Sequence, residues 1–197
     1  MPNRQPALLV FAGPNGSGKS TVTSYFDIIG EYSNADDLVK LTGMNNLEAA
    51  KYVDNQRYNA IYLHKDFTFE TVLSSNYKLE LLERAKQEGY FIKCVFVLTN
   101  DPGINVERVR TRVAGGGHTV PTDKIIERYY KSLGNIKWLV ELCDILHVYD
   151  NTKEPCRIVR KHKEELTIFT NDFWDKTSVM NLLTGNIQNL IKQMNYF

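Results

Sequence analysis

Gly13, Gly18, Lys19 and Ser20 are spaced as Gly, four residues, Gly-Lys-Ser, inside the run Gly13, Pro14, Asn15, Gly16, Ser17, Gly18, Lys19, Ser20, Thr21. That pattern suits phosphate chemistry. Glycines let the backbone adopt positive φ and approach a phosphate closely, so the amides from Asn15 to Lys19 can form an anion nest. Lys19 supplies a point charge for β- and γ-phosphates, the Ser20 hydroxyl is placed for Mg²⁺, and Thr21 is within reach of an α-phosphate. A Gly-rich turn can carry Gly-Lys-Ser by accident. Here an apolar run over residues 7–11 precedes the loop and a helical pattern opens at Ser20, the strand, loop and helix that the motif requires. The expected ligand is Mg·ATP.

Other residues able to do chemistry lie further on. Asp36 and Asp37 follow a short strand expected at residues 32–35, and one of these carboxylates can take a proton from an attacking hydroxyl. The same residues also suit an Asx turn or a helix N-cap. Glu70 and Thr71 leave the strand of "DFTFETVLSS", where they would bind substrate hydroxyls or hold Mg²⁺ through water. Arg108, Arg112 and Arg128, with Gly115, Gly116 and Gly117 as hinges, suit a lid over residues 104–135 that neutralises charge on a transferred group. A solvated basic helix is the alternative.

The elements that must position these residues alternate strand and helix. Helical patterns are expected over residues 47–65, with Leu47, Ala50, Val53 and Ile61 near one face and Arg57 beside it, and over residues 77–89 with Gly89 as C′ cap. Residues 90–99 form the least ambiguous strand. Beyond it come a basic helix around residues 105–113, then a long helix from the candidate N-cap Thr122 to about Cys143. A strand over residues 145–150, a hairpin over 156–169, Trp174 and an amphipathic helix over about 179–194 complete the chain. The pattern predicts an α/β fold, a P-loop NTPase three-layer sandwich with a mostly parallel sheet and an Arg-bearing helical lid, in a single domain of 197 residues.

Composition narrows the classes. Hydrophobic residues at 43% and charged residues at 24% argue against disorder, and a net charge of +1 gives no global attraction to nucleic acid or anionic membrane. Cys94, Cys143 and Cys156 are odd in number and unpaired in spacing, which fits a reducing cytosol. No apolar run suits a signal peptide or membrane span, so a soluble cytoplasmic protein is expected. The chain has no Asn-Lys-x-Asp run for guanine, and the strand ending at Thr99 brings no Asp-Glu pair for a hydrolytic water, which favours a kinase over an ATPase.

"GPNGSGKST", "NADD" (residues 34–37), "FETVLSS" (69–75) and "ERVRTRVAGGGHTVPTDKIIERYYKSLGN" (107–135) together resemble the zeta-toxin family of P-loop kinases, in the broader group that includes predicted small ATPases. The resemblance covers about the first three quarters of the chain. It implies ATP-dependent phosphorylation of a sugar hydroxyl on UDP-N-acetylglucosamine, with an antitoxin partner in some systems. Carried over by residue, it places the P-loop lysine at Lys19, the catalytic aspartate at Asp36, the substrate segment at Glu70 and Thr71, and lid arginines at Arg112 and Arg128. One position departs from the better-known toxins, which carry Arg three residues after the catalytic aspartate; here Val39 stands there, followed by Lys40. Two other functions fit the same motifs, a nucleoside or polynucleotide 5′-hydroxyl kinase and a non-catalytic ATP-gated binding module.

Overall fold

The apolar runs Ala7–Ala12 (β1) and Phe91–Leu98 (β4) pair in parallel along their length, from Ala7 opposite Phe91 to Ala12 opposite Phe96. Both are covered on two faces, which is why neither shows clean polar alternation. The structure is a computed structural model describing residues 4–116 and 119–189. Its sheet has seven strands, adding Glu31–Ser33 (β2), Phe67–Thr71 (β3), Ile145–Asp150 (β5), Cys156–His162 (β6) and Glu165–Ile168 (β7), in the order β2-β3-β1-β4-β5-β6-β7. β2, β3, β1, β4 and β5 run parallel, and the hairpin β6-β7 is antiparallel. The fold is the expected α/β class.

The helices are Lys19–Thr23 (α1), Ala35–Thr42 (α2), Asn46–Tyr62 (α3), Asn76–Gln87 (α4), Pro102–Ala114 (α5), Thr122–Gly134 (α6), Ile136–Leu142 (α7) and Lys176–Thr184 (α8). One face of the sheet carries the larger core, where Leu8, Phe69, Phe96, Leu133 and Trp174 are all almost fully buried. The opposite face is thinner, built on Leu9, Phe11, Val22, Val95 and Val97. A third cluster of Val106, Val109 and Ile125 fastens α5 to α6.

Several sequence expectations shift. α3 buries Ala49, Val53, Arg57 and Ile61, a row spaced by four, and leaves Leu47 64% exposed, so the inward stripe is rotated from the expected one. Thr122 makes no capping bond; Pro121 is the cap position and Thr122 the first helical residue. The long helix to Cys143 breaks at Asn135, whose side-chain amide donates to the Leu73 carbonyl at 2.9 Å and so turns α6 into α7. The last helix begins before residue 179, at Lys176, where the Asp175 carboxylate accepts from the Ser178 amide at 2.7 Å. It ends at Thr184 because Gly185 takes φ of +72°. The rest of that expected helix from residue 190, and the hinge position Gly117, lie outside the described residues. No helix among the described residues is long and apolar enough to cross a membrane.

Candidate active site

β1 delivers the Gly-rich loop at the carboxyl edge of the sheet, where open parallel sheets bind ligands. The loop is held from three sides. The Gly13 amide donates to the Thr71 carbonyl at 3.2 Å, the Asn105 side-chain amide donates to the Asn15 carbonyl at 2.6 Å, and that of Asn151 donates to the Ser17 carbonyl at 2.9 Å. Asn105 in turn accepts from the Thr99 hydroxyl. Gly16 has φ of +75°, and a Cβ there would stand 2.3 Å from the Asn105 carbonyl oxygen. That contact demands glycine. α1 is only five residues long, shorter than the helical pattern after Ser20 suggests, so the loop amides rather than a long helix carry the anion site.

Lys19 donates to the Gly13 and Pro14 carbonyls at 2.9 and 3.2 Å and stands 3.8 Å from the Glu70 carboxylate. Burial lowers its pKa below the ordinary lysine value; the positive charge of Arg112 acts in the same direction, and Glu70 and Asp36 oppose it. Glu70 also accepts from the Tyr32 hydroxyl at 3.4 Å, and burial together with that carboxylate pushes Tyr32 up to about 12. Beside the loop, the Asn15 Oδ1, the Ser17 hydroxyl and Arg108 Nη1 are buried polar atoms without a protein partner, a pattern that invites a polar ligand.

Three adjoining chambers open on this loop. The largest, about 660 Å³, has Gly18, Lys19, Ser20, Asp37, Lys40 and Arg108 on its wall. A second, about 190 Å³, reaches between β3, α3 and α4 past Glu70 and Thr71. The third, about 410 Å³, is bounded by Val39, Val120, Pro121, Lys124 and Arg128. Asp36 and Arg112 stand on the walls of all three.

Asp36 and Asp37 sit in the first turn of α2, with the Asn34 side chain as its cap accepting from the Asp36 amide at 3.0 Å. The cap reading of these aspartates does not hold: Asn34 does the capping, leaving the Asp36 carboxylate on the cleft. Thr71 is a chamber wall but its hydroxyl accepts the Leu73 amide at 3.0 Å, so part of its capacity is spent on the turn after β3. Arg108 donates to the Thr152 carbonyl at 3.1 Å beside Gly18, and it shares the largest chamber with Glu70 but not with Thr71. Arg128 reaches only the third chamber of the three, and Thr21 is exposed on α1 away from all of them. Asn105, Asn151, Arg57 and Lys78 are site residues that no motif flags; only their positions at strand ends or facing the loop identify them.

No family model matches the chain. A Haemophilus influenzae relative, an uncharacterized protein, is 28% identical over 131 residues, covering 64% of this chain and 94% of the relative. A crystal structure of AvrRxo1-ORF1:AvrRxo1-ORF2 with sulphate ions matches at TM-score 0.69 and 12% identity, over 93% of this chain. The same pair with ATP matches at 0.68 and 12% identity over 92% of this chain. The chain spans just under two thirds of those matched chains, 65% and 64%. The PezAT chromosomal toxin-antitoxin system of Streptococcus pneumoniae matches at 0.56 and 15% identity, over 99% of this chain and 88% of the other. The chain shares their fold. Its seven-stranded, mostly parallel sheet and flanking helices are those of these solved structures, reached with few identical residues.

Proposed function

We propose that the chain is an ATP-dependent phosphotransferase that moves the γ-phosphate of ATP to a hydroxyl of a sugar nucleotide such as UDP-N-acetylglucosamine. The observation that carries this reading is the position of Asp36 and Arg112 on all three chambers, beside Lys19 and the loop. The nucleotide's phosphates lie on the loop amides and Lys19, with Arg108 and the Thr152 segment on its far side. An acceptor hydroxyl enters from the β3 side, oriented by Glu70 and Thr71. The Asp36 carboxylate takes its proton as the new O–P bond forms and ADP departs with the cleaved bond's electrons. Arg112 and Arg128 neutralise the charge in flight.

The residue set fits Mg²⁺. Among the described residues no group of three or more His, Cys, Asp or Glu could hold a metal alone, whereas Ser20, Asp36, Asp37 and Glu70 share the largest chamber. A small hard cation is usually held by one or two protein oxygens plus phosphates. Ser20 with Asp37 would hold it, and it would supply neutralisation of the phosphate oxygens.

A sugar nucleotide is supported by the third chamber, which sets Arg112, Lys124 and Arg128 opposite the apolar side chains Val39, Val72, Val120 and Pro121. That is a place for phosphates beside a ring. An antitoxin partner is part of the proposal, supported by the toxin-antitoxin description of the pneumococcal neighbour, and use of ATP fits a cytoplasmic enzyme. The test incubates the protein with Mg·ATP and UDP-N-acetylglucosamine and weighs the product. A species heavier by one phosphate is expected. Tight ATP binding without transfer to this acceptor would refute the sugar-nucleotide assignment.

A further inference from the structure

The second chamber has a wall that phosphoryl transfer at the loop does not use. Arg57 on α3 is 3% exposed, and its guanidinium donates to the Ser33 hydroxyl at 3.0 Å, the Ser33 carbonyl at 2.9 Å and the Asp54 carboxylate at 2.9 Å. It lies 4.6 Å over the Phe69 ring. Lys78 on α4 bonds to the same Asp54 oxygen, and both cations face the chamber. One carboxylate therefore serves two cations. Among the described residues Asp54 is the one hydrogen-bond acceptor that Lys78 reaches, and the ammonium also lies 4.8 Å over the Tyr77 ring, so at least one of its three N–H donors is left for the chamber. The nearby Glu70 does not make up the deficit, because it already stands 3.8 Å from Lys19 and accepts from Tyr32.

A surplus of positive charge on the wall of a half-closed chamber is costly unless an anion meets it. The chamber measures about 190 Å³, smaller than the roughly 300 Å³ at which whole-ligand pockets begin, so it holds one group rather than a nucleotide. It opens on Asp36, beside which the acceptor hydroxyl must lie.

We propose that Lys78, braced by Asp54 and Arg57, forms an anion subsite in this chamber that recognises a carboxylate or phosphate group carried by the phosphate acceptor. The proposal rests on the phosphotransfer reading, since it assigns the chamber to the acceptor. It adds a selection rule: acceptors without an anionic group on the β3 side of the reacting hydroxyl are poor ones, whatever the third chamber holds.

The test uses the full chain saturated with Mg·AMP-PNP, which fills the loop's own phosphate sites, and titrates inorganic phosphate in one arm and acetate in the other by calorimetry. Saturable binding in at least one arm is expected, and the arm that binds more tightly names the anion. Lys78→Gln should weaken it about 10- to 100-fold, the loss of one charge-assisted hydrogen bond, whereas Lys78→Arg and the control Lys51→Gln, an exposed lysine of α3 outside all three chambers, should stay within about threefold of wild type. Unchanged affinity in Lys78→Gln, equal weakening in Lys51→Gln, or no saturable anion binding would overturn the subsite while AMP-PNP binding keeps the functional reading standing. Failure of the wild type to bind AMP-PNP would overturn both.

Discussion

Asp36 is the second residue of α2, and its exposed carboxylate is free for chemistry because Asn34 caps the helix in its place. Spacing alone leaves base and cap equally plausible for an aspartate after a strand; the decision lies in which neighbour accepts the Asp36 amide, a contact that depends on the local turn. Asp36→Asn is expected to lower phosphate transfer at least about 100-fold, the low end for a lost general base, while affinity for an ATP analogue stays within about twofold. On the proposed reading Lys19→Ala should lower both, since Lys19 stands between the Gly-rich loop and the Glu70 carboxylate. Paired titrations with a fluorescent ATP analogue and product measurements separate the two patterns. The strand, Gly-rich loop and helix were legible in the sequence because glycine torsions and their flanking pattern are local. Arg57 and Lys78 were not, because α3 and α4 meet at Asp54 only in the folded chain.

At the scale of elements, α5 is clamped at its beginning. Asn105 ties its first half to the loop, Arg108 ties the next turn to Thr152, and Val106 and Val109 pack with Ile125 of α6. Two of the three arginines of the expected lid, Arg108 and Arg112, are thus carried one turn apart on an anchored helix, and Arg128 sits on α6. Any closing motion must begin after Ala114, where Gly116 takes φ of +89°. Asn105→Ala strands the Asn15 carbonyl and leaves the Thr99 hydroxyl only the Asp101 carbonyl at 3.2 Å, a loss of about 1–3 kcal/mol that chemical denaturation will read, accompanied by weaker ATP binding. Gly16→Ala should abolish nucleotide binding, because its Cβ would collide with the Asn105 backbone. The break at Asn135 was invisible to periodicity, since the apolar spacing runs through it and only the Leu73 carbonyl, from another part of the chain, turns the helix.

For the molecule as a whole, the sheet order and both cores follow from long apolar runs and alternating elements, which is why the fold class was readable at the outset. The hairpin β6-β7 extends this sheet past β5 and brings Arg157 and Arg160 beside His147. Burial, with Arg157, Lys93 and Arg160, holds the His147 pKa down from 6.5 to about 4. The unfolded chain therefore binds a proton that the folded chain refuses between those values. Stability from this group is complete above pH 6.5 and is lost as the pH falls through 4. Thermal unfolding should show a lower midpoint at pH 5 than at pH 7, and His147→Gln should remove part of that difference; an unchanged difference in the variant would place the acid sensitivity elsewhere.

The central claim is that one cleft binds ATP and uses Asp36 to pass its phosphate on. It is tested most directly by single-turnover transfer from γ-labelled Mg·ATP to UDP-N-acetylglucosamine in wild type and Asp36→Asn, each loaded with nucleotide to the same occupancy. Labelled sugar nucleotide from the wild type, with at least about 100-fold slower formation in the variant, is the predicted result. Equal rates in the two proteins would contradict it.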